Sequence, residues 1–274
     1  MTRPIFLLTD FGTRDSFAGQ MRAVMASVAP GVAVYDLTHE VEPFAIDEGV
    51  WQLDVALDAL PEDAVVCAVV DPGVGSGRRA LCVERDSRTL IGPDNGLLSA
   101  GYAEETRGRA DAGGSVVALG SADRATELCS PQYWAPRTSA TFHGRDIFAP
   151  VAAHVAKGVD SKVLGTPVAE AVVFPACCGQ PAAAARELHG YVVHVDRFGN
   201  LITTVRAAQL FPLFEIRIGG LVVDQRVRTF ANSVEGVPFC YADSSGYLAI
   251  AINRASAAAA LGIGRGEPVA VVPR

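Results

Sequence analysis

Apolar and polar positions follow two different patterns along this chain. In the first 175 residues, short continuous apolar runs alternate with stretches of helical spacing. Residues 5–10 are an apolar run ending on Asp10, which reads as a buried strand that stops at a carboxylate. Over 15–28, Phe17, Met21, Val24, Met25 and Val28 recur on one helical face, and Pro30-Gly31 ends the helix. The alternation continues with a strand at 32–37, a helix at 46–60 stopped by Pro61, strands at 64–70, 80–83 and 89–91, and a helix at 147–157 with Pro150 in its first turn. Residues 101–139 follow neither period closely. This order predicts an α/β domain whose mainly parallel sheet is covered by helices.

The pattern changes at 175–185, where two prolines, a glycine and a run of small residues predict an interdomain linker over 176–185. Beyond it come strand-like segments at 188–195, 201–205, 214–218, 221–223, 247–252 and 269–272, with Gly219-Gly220 as a hairpin turn and no long helix between them. A smaller antiparallel barrel-like domain over 186–274, following an α/β domain over 1–175, is the expected organisation.

Composition narrows the partners. The formal net charge is −7 and no dense Lys/Arg run occurs, which argues against a nucleic-acid binder. No apolar stretch reaches the ~18 residues of a membrane span, and Met1-Thr2-Arg3-Pro4 leads straight into a strand-like run rather than a signal peptide. The six cysteines form no CxxC pair, although Cys177 and Cys178 are adjacent. A reduced, soluble, cytoplasmic protein is expected. The histidines show no metal-ligand spacing, so neither metal nor cofactor is expected.

Five polar segments are candidates for chemistry. Asp71-Pro72-Gly73-Val74-Gly75-Ser76-Gly77-Arg78-Arg79 follows an apolar strand, where the ligand crevice of an open α/β sheet lies, yet it has neither GxGxxG nor GK[ST] and reads equally as a solvated turn. Thr141-Phe142-His143-Gly144-Arg145-Asp146 places an imidazole at a helix N-terminus, where the dipole disfavours its protonated form. Gly92-Pro93-Asp94-Asn95-Gly96 reads first as a tight structural turn. Asp196-Arg197-Phe198-Gly199-Asn200 offers an aromatic face beside polar edges, suited to a planar base or to an ordinary hairpin loop. Asp243-Ser244-Ser245-Gly246-Tyr247 offers small donors before a strand.

Together with Thr9-Asp10-Phe11-Gly12, these segments in this order resemble the S-adenosylmethionine hydroxide adenosyltransferase family, related to the fluorinases and chlorinases, over residues 5 to about 255. The resemblance implies hydrolysis of S-adenosylmethionine to adenosine and methionine, with that molecule as substrate and no cofactor. It implies that Asp71, Arg78 and His143 hold and polarise the attacking water. The halide-using relatives carry Tyr in place of Asp71 and lack the His, and the fluorinases have Ser where this chain has Gly144. By the same resemblance Asp10 grips the ribose hydroxyls, Phe44 lies along the substrate, Asp196 and Ser244 hold the methionine amine and carboxylate, and Phe198 and Asn200 meet the adenine. Ser245 stands where the fluorinase has Arg. The family pattern further implies a homotrimer, with each site formed by the first domain of one subunit and the second domain of a neighbour. Three readings compete: a halide adenosyltransferase, a non-catalytic adenosine or S-adenosylmethionine sensor, and a generic nucleotide-binding α/β protein.

Overall fold

The computed structural model describes residues 2–177, 180–181 and 187–274. Most of the expected linker 176–185, and Cys178, lie outside the described residues. Contacts divide the chain into two compact units, Met1–Ala176 and Cys177–Arg274.

In the first unit the strands are β1 (Ile5–Thr9), β2 (Val34–Thr38), β3 (Val65–Val69), β4 (Ala80–Arg85), β5 (Arg88–Pro93), β6 (Ser115–Ala118), β7 (Arg124–Glu127), β8 (Thr166–Pro167) and β9 (Glu170–Val173). The helices are α1 (Phe17–Val28), α2 (Ile46–Leu57), the single turn α3 (Glu104–Arg107) and α4 (Ala149–Ala156). Seven strands form one sheet in the order β2-β1-β3-β5-β4-β7-β8. Pairings from β2 through β5 are parallel, as expected for an α/β sheet. The remaining pairings are antiparallel, because β4 and β5 are joined by a hairpin rather than by a crossover helix.

The continuous apolar run of β3 is explained by burial on both faces. Cys67 and Val69 point into a core shared with Met21 and Met25 of α1 and Val151 and Val155 of α4. Val66, Ala68 and Val70 point the other way, against Leu53 and Leu57 of α2 and against Leu97, Leu98 and Tyr102. In α1 the buried Ala18, Met21 and Met25 recur at helical spacing, and Asp47 and Glu48 place negative charge in the first turn of α2. The register sets Thr9 beside Val69, so the neighbouring parallel strands β1 and β3 deliver Asp10 and Asp71 to the same carboxyl-terminal edge of the sheet.

The second unit contains β10 (Gln180–Pro181), β11 (Leu188–Val195), β12 (Leu201–Arg206), β13 (Phe214–Ile218), β14 (Leu221–Val223), β15 (Pro238–Ala242), β16 (Tyr247–Ile252), the short helix α5 (Ala257–Leu261) and β17 (Pro268–Pro273). They pair antiparallel in the order β14-β13-β17-β11-β12-β16-β15, with β10 alongside β11. A bridge between Arg226, just past β14, and Cys240 of β15 brings the two ends of this sheet nearly together. The result is the expected barrel-like antiparallel fold around Val192, Leu201, Val205, Ile216, Ile250 and Val271. Gly219 and Gly220 both adopt positive φ, +54° and +77°, as the two-residue hairpin between β13 and β14 requires.

Candidate active site

The sheet edge above β1 and β3 opens into a cavity of about 580 Å³. Asp10, Phe44, Asp71, His143 and Gly144 all line it. So do Phe11, Phe17 and Phe142, whose rings meet edge to face with centroids 5.3 to 5.8 Å apart. Of these, Phe17 and Phe142 carried no assigned role in the sequence reading. Phe17 read as one more core position of α1, although its side chain is exposed toward this space.

Asp71 leaves the end of β3 through Val70, whose carbonyl accepts a hydrogen bond of 2.8 Å from Asn95 Nδ2. The loop after Asp71 turns back so that Arg78 reaches it. Arg78 Nε donates to both Asp71 carboxylate oxygens, at 2.8 and 3.0 Å, and Nη2 donates to Oδ2 as well. The pair is nearly sealed from solvent, with side chains 5 % and 10 % exposed, and the guanidinium rests on the Phe148 ring at 5.3 Å. Arg78 Nη1 also donates to the Arg79 carbonyl at 3.2 Å, and Arg79 in turn pairs with Asp94. The Gly92–Leu98 segment therefore acts as a brace beneath the loop. Gly75 makes the turn possible: its φ is +79°, and a Cβ there would stand 2.4 Å from the Ala140 carbonyl oxygen. Gly75→Ala is expected to destabilise the protein by roughly 1–3 kcal/mol and to lower turnover by misplacing Arg78. A thermal melt and an activity assay on that variant check both effects.

His143 stands at the start of a single π-helical turn, Gly144–Phe148, that runs into α4. This corrects the expectation of an ordinary helix start and is the kind of local widening often found at functional positions. Gly144 suits the crowding here, because a Cβ would lie 3.3 to 3.4 Å from Phe142, Met21 and Phe11. Arg78 Nη2 approaches His143 Nδ1 at 2.9 Å. A guanidinium only donates, so Nδ1 accepts and the ring proton sits on Nε2. Burial and then the Arg78 charge lower the His143 pKa from its ordinary 6.5, against the opposing pull of Asp71 and Asp146. The ring is thus neutral at pH 7. Because its folded value lies below the unfolded one, the stability linked to the neutral ring is present above pH 6.5 and is lost as pH falls through the folded value. Long-range nitrogen–proton NMR is expected to show His143 uncharged at about pH 7.5 with its proton on Nε2, and to show it taking up its second proton only below the ordinary histidine range. A cationic ring, or a proton on Nδ1, would contradict this geometry.

Asp10 accepts the Phe44 backbone N–H at 3.0 Å through Oδ2. Burial pushes its carboxyl above the ordinary value; the Phe44 N–H works against that rise and the Asp71 charge adds to it. Phe44 holds a φ of +71°, uncommon for a bulky residue, with its ring 71 % exposed at the cavity mouth. Arg145 lines the cavity too, but Asp146 pairs with it through two nitrogens, at 2.7 and 3.0 Å. Arg78 likewise pairs with Asp71, so of the two carboxylates that line this aromatic-walled cavity Asp10 is the one without a cationic partner among the described residues.

In the second unit, a pocket of about 630 Å³ brings together Asp196, Phe198 and Asn200 with Phe230, Tyr241 and Arg254. The last three had no assigned role in the sequence reading; Arg254 is marked by a φ of +61° just after β16. Asp196 is committed to its own turn: its Oδ1 accepts the N–H groups of Phe198 and Asn200 at 2.9 and 2.8 Å, and its Oδ2 accepts Asn200 Nδ2 at 2.7 Å. Ser244 and Ser245 lie in the β15–β16 turn, organised by the Asp243 carboxylate, and are not among the residues lining this pocket. Among the described residues no cluster of His, Cys, Asp and Glu is arranged to hold a metal ion, and no helix is long and apolar enough to cross a membrane.

Comparison with known proteins agrees with these two units. Residues 5–165 match the SAM hydroxide adenosyltransferase N-terminal domain and residues 190–270 the C-terminal domain of the same family. The chain is 41 % identical to the (R)-S-adenosyl-L-methionine hydrolase of Thermus thermophilus, with 97 % of this chain and 98 % of that protein covered. It is 26 % identical to the fluorinase of Nocardia brasiliensis, over 93 % of this chain and 92 % of that protein. The crystal structure of an uncharacterized conserved protein from Thermotoga maritima superposes with a TM-score of 0.83 at 29 % identity, covering 98 % of this chain and 99 % of that one. With both of its domains matched along nearly the whole length, the chain belongs to the SAM hydroxide adenosyltransferase family.

Proposed function

We propose that this enzyme hydrolyses S-adenosylmethionine to adenosine and methionine, with Asp71, Arg78 and His143 acting on the attacking water. The observation that carries the reading is that Asp71 and His143 both line the cavity, while Arg78, which is not among the lining residues, bonds to each of them from behind. The substrate's sulfonium suits a space bounded by carboxylates and aromatic faces. Asp10 keeps Oδ1 available for a ribose hydroxyl while Oδ2 holds Phe44.

The reaction needs one water oxygen in line with the C5′–sulfur bond. As the carbon–oxygen bond forms, the C5′–sulfur bond breaks and its electron pair leaves on sulfur as the neutral thioether of methionine. The attacking water becomes strongly acidic at that moment, so a carboxylate is a sufficient base. His143 presents Nε2–H, a donor, because Nδ1 is occupied by Arg78. The proton therefore goes to Asp71, while His143 orients the water oxygen and Arg78 fixes both partners. Charge cancels between the developing hydroxide and the sulfonium, which a pocket of low polarity favours.

A halide nucleophile is disfavoured because, among the described residues, the lining offers it carboxylate oxygens, at Asp10 and Asp71, rather than a free cation: Arg145 is paired with Asp146 and Arg78 with Asp71. Incubation with S-adenosylmethionine and chloride separates the two: adenosine supports hydrolysis, and 5′-chloro-5′-deoxyadenosine without adenosine supports halide transfer. A cytoplasmic homotrimer belongs to the same proposal, resting on the family resemblance. Light scattering should return three times the 28.7 kDa chain mass.

A further inference from the structure

We infer that Thr9 and His39, braced by Asp36 and Arg22, are positioning residues that aim the Asp10 carboxylate. The inference rests on the reading of Asp10 as the ribose grip and extends it to residues behind the cavity. His39 is a buried histidine, 4 % exposed, that the reaction does not use. Its Nδ1 lies 2.8 Å from Thr9 Oγ1, and its Nε2 lies 3.0 Å from Asp36 Oδ1. Thr9 Oγ1 also accepts the Phe11 N–H at 3.2 Å.

One assignment satisfies every group. The His39 proton sits on Nε2 and goes to Asp36; Thr9 donates its hydroxyl proton to Nδ1 and accepts from Phe11. Arg22 Nε, from α1, donates to the same Asp36 oxygen at 3.1 Å and Nη2 donates to the other, so the carboxylate is held in place. The 3.3 Å approach of Arg22 Nη2 to His39 Nε2 is then a packing contact, since both atoms are donors. The His39 backbone carbonyl accepts the Gly12 N–H at 2.6 Å, so one residue ties both ends of the Thr9–Gly12 turn. Asp10 lies inside that turn, and Phe44, a few residues past His39, takes its Oδ2.

A carboxylate, imidazole and hydroxyl in series also resemble a nucleophile relay. Thr9 is wholly buried, so no substrate reaches its oxygen, and the series serves position instead.

The test is calorimetric binding of adenosine and of 2′,3′-dideoxyadenosine to the full-length protein. Wild type is expected to prefer adenosine by about tenfold or more, the loss of hydrogen bonds to a charged group. Thr9→Val keeps the shape and removes the hydroxyl; it should shrink that preference to about threefold or less, and Thr9→Ser should restore it. His39→Gln, which keeps a donor toward Asp36 but loses the acceptor for Thr9, should behave like Thr9→Val and serves if the valine variant does not fold. A wild-type protein with no preference overturns the ribose reading and this inference together. A wild-type preference that survives in Thr9→Val and His39→Gln overturns the inference alone, as does an equal weakening of both ligands.

Discussion

Asp71→Asn is expected to lower kcat for S-adenosylmethionine hydrolysis by about two decades or more, with a much smaller change in KM. The amide keeps the size of the carboxylate and one acceptor for Arg78. What it removes is the proposed base, since His143 would offer Nε2–H to the water while its Nδ1 is engaged by Arg78. The effect should therefore fall on the chemical step. Steady-state kinetics with product chromatography reads it, and a variant within threefold of wild type would remove Asp71 from the role of base.

Arg78→Met is expected to be nearly as damaging to turnover and to damage the fold more than Asp71→Asn, in which Arg78 keeps the amide oxygen, the Arg79 carbonyl and His143 as acceptors. The Asp71 carboxylate is 5 % exposed and takes its principal hydrogen bonds from this guanidinium. Removing one partner of a sealed pair leaves an uncompensated buried charge, a loss of roughly 3–5 kcal/mol. The double variant Asp71→Asn/Arg78→Met removes that charge and should recover much of the stability while remaining inactive. Urea denaturation of the two single variants and the double variant separates the structural share of the ion pair from its chemical share. Arg78→Lys should not rescue turnover, because a single ammonium cannot reach both Asp71 oxygens and His143 in the fork seen here.

How much of this was legible in the sequence depends on the kind of order involved. The apolar run at 64–70 identified a strand buried on two faces, since only such a strand lacks polar alternation. Helices α1 and α2 were visible for the complementary reason: Met21 and Met25 sit on the inward face at the helical period. The segment 101–139 hid β6 and β7, which have four residues each, too few to establish a period of two. β15 was hidden as well, because it opens on Pro238 and exposes Ala242 at its end. The antiparallel part of the sheet follows from the tight Asp86-Ser87 hairpin between β4 and β5, which a reading of alternating strands and helices passed over.

At the cavity, spacing alone says nothing of the nearness of Arg78 and His143, 65 positions apart in the chain. The role proposed for them comes from the family resemblance, whereas the protonation pattern needs coordinates. The Asp196 loop shows the opposite limit: its sequence offers a free carboxylate, and the structure spends that carboxylate on the loop's own N–H groups. The Asp94-Asn95 turn read as structural, and the hydrogen bond from Asn95 to Val70 shows what it supports, the chain position just before Asp71.

In the proposed reaction a water molecule, held where Asp71 and His143 face the cavity, attacks the ribose carbon. Turnover of S-adenosylmethionine in oxygen-18 water, followed by mass spectrometry of both products, tests it most directly. One heavy oxygen is expected in the 5′-hydroxyl of adenosine and none in methionine, with loss of the labelled product in Asp71→Asn. Unlabelled adenosine, or label appearing at the wild-type rate in that variant, would contradict it.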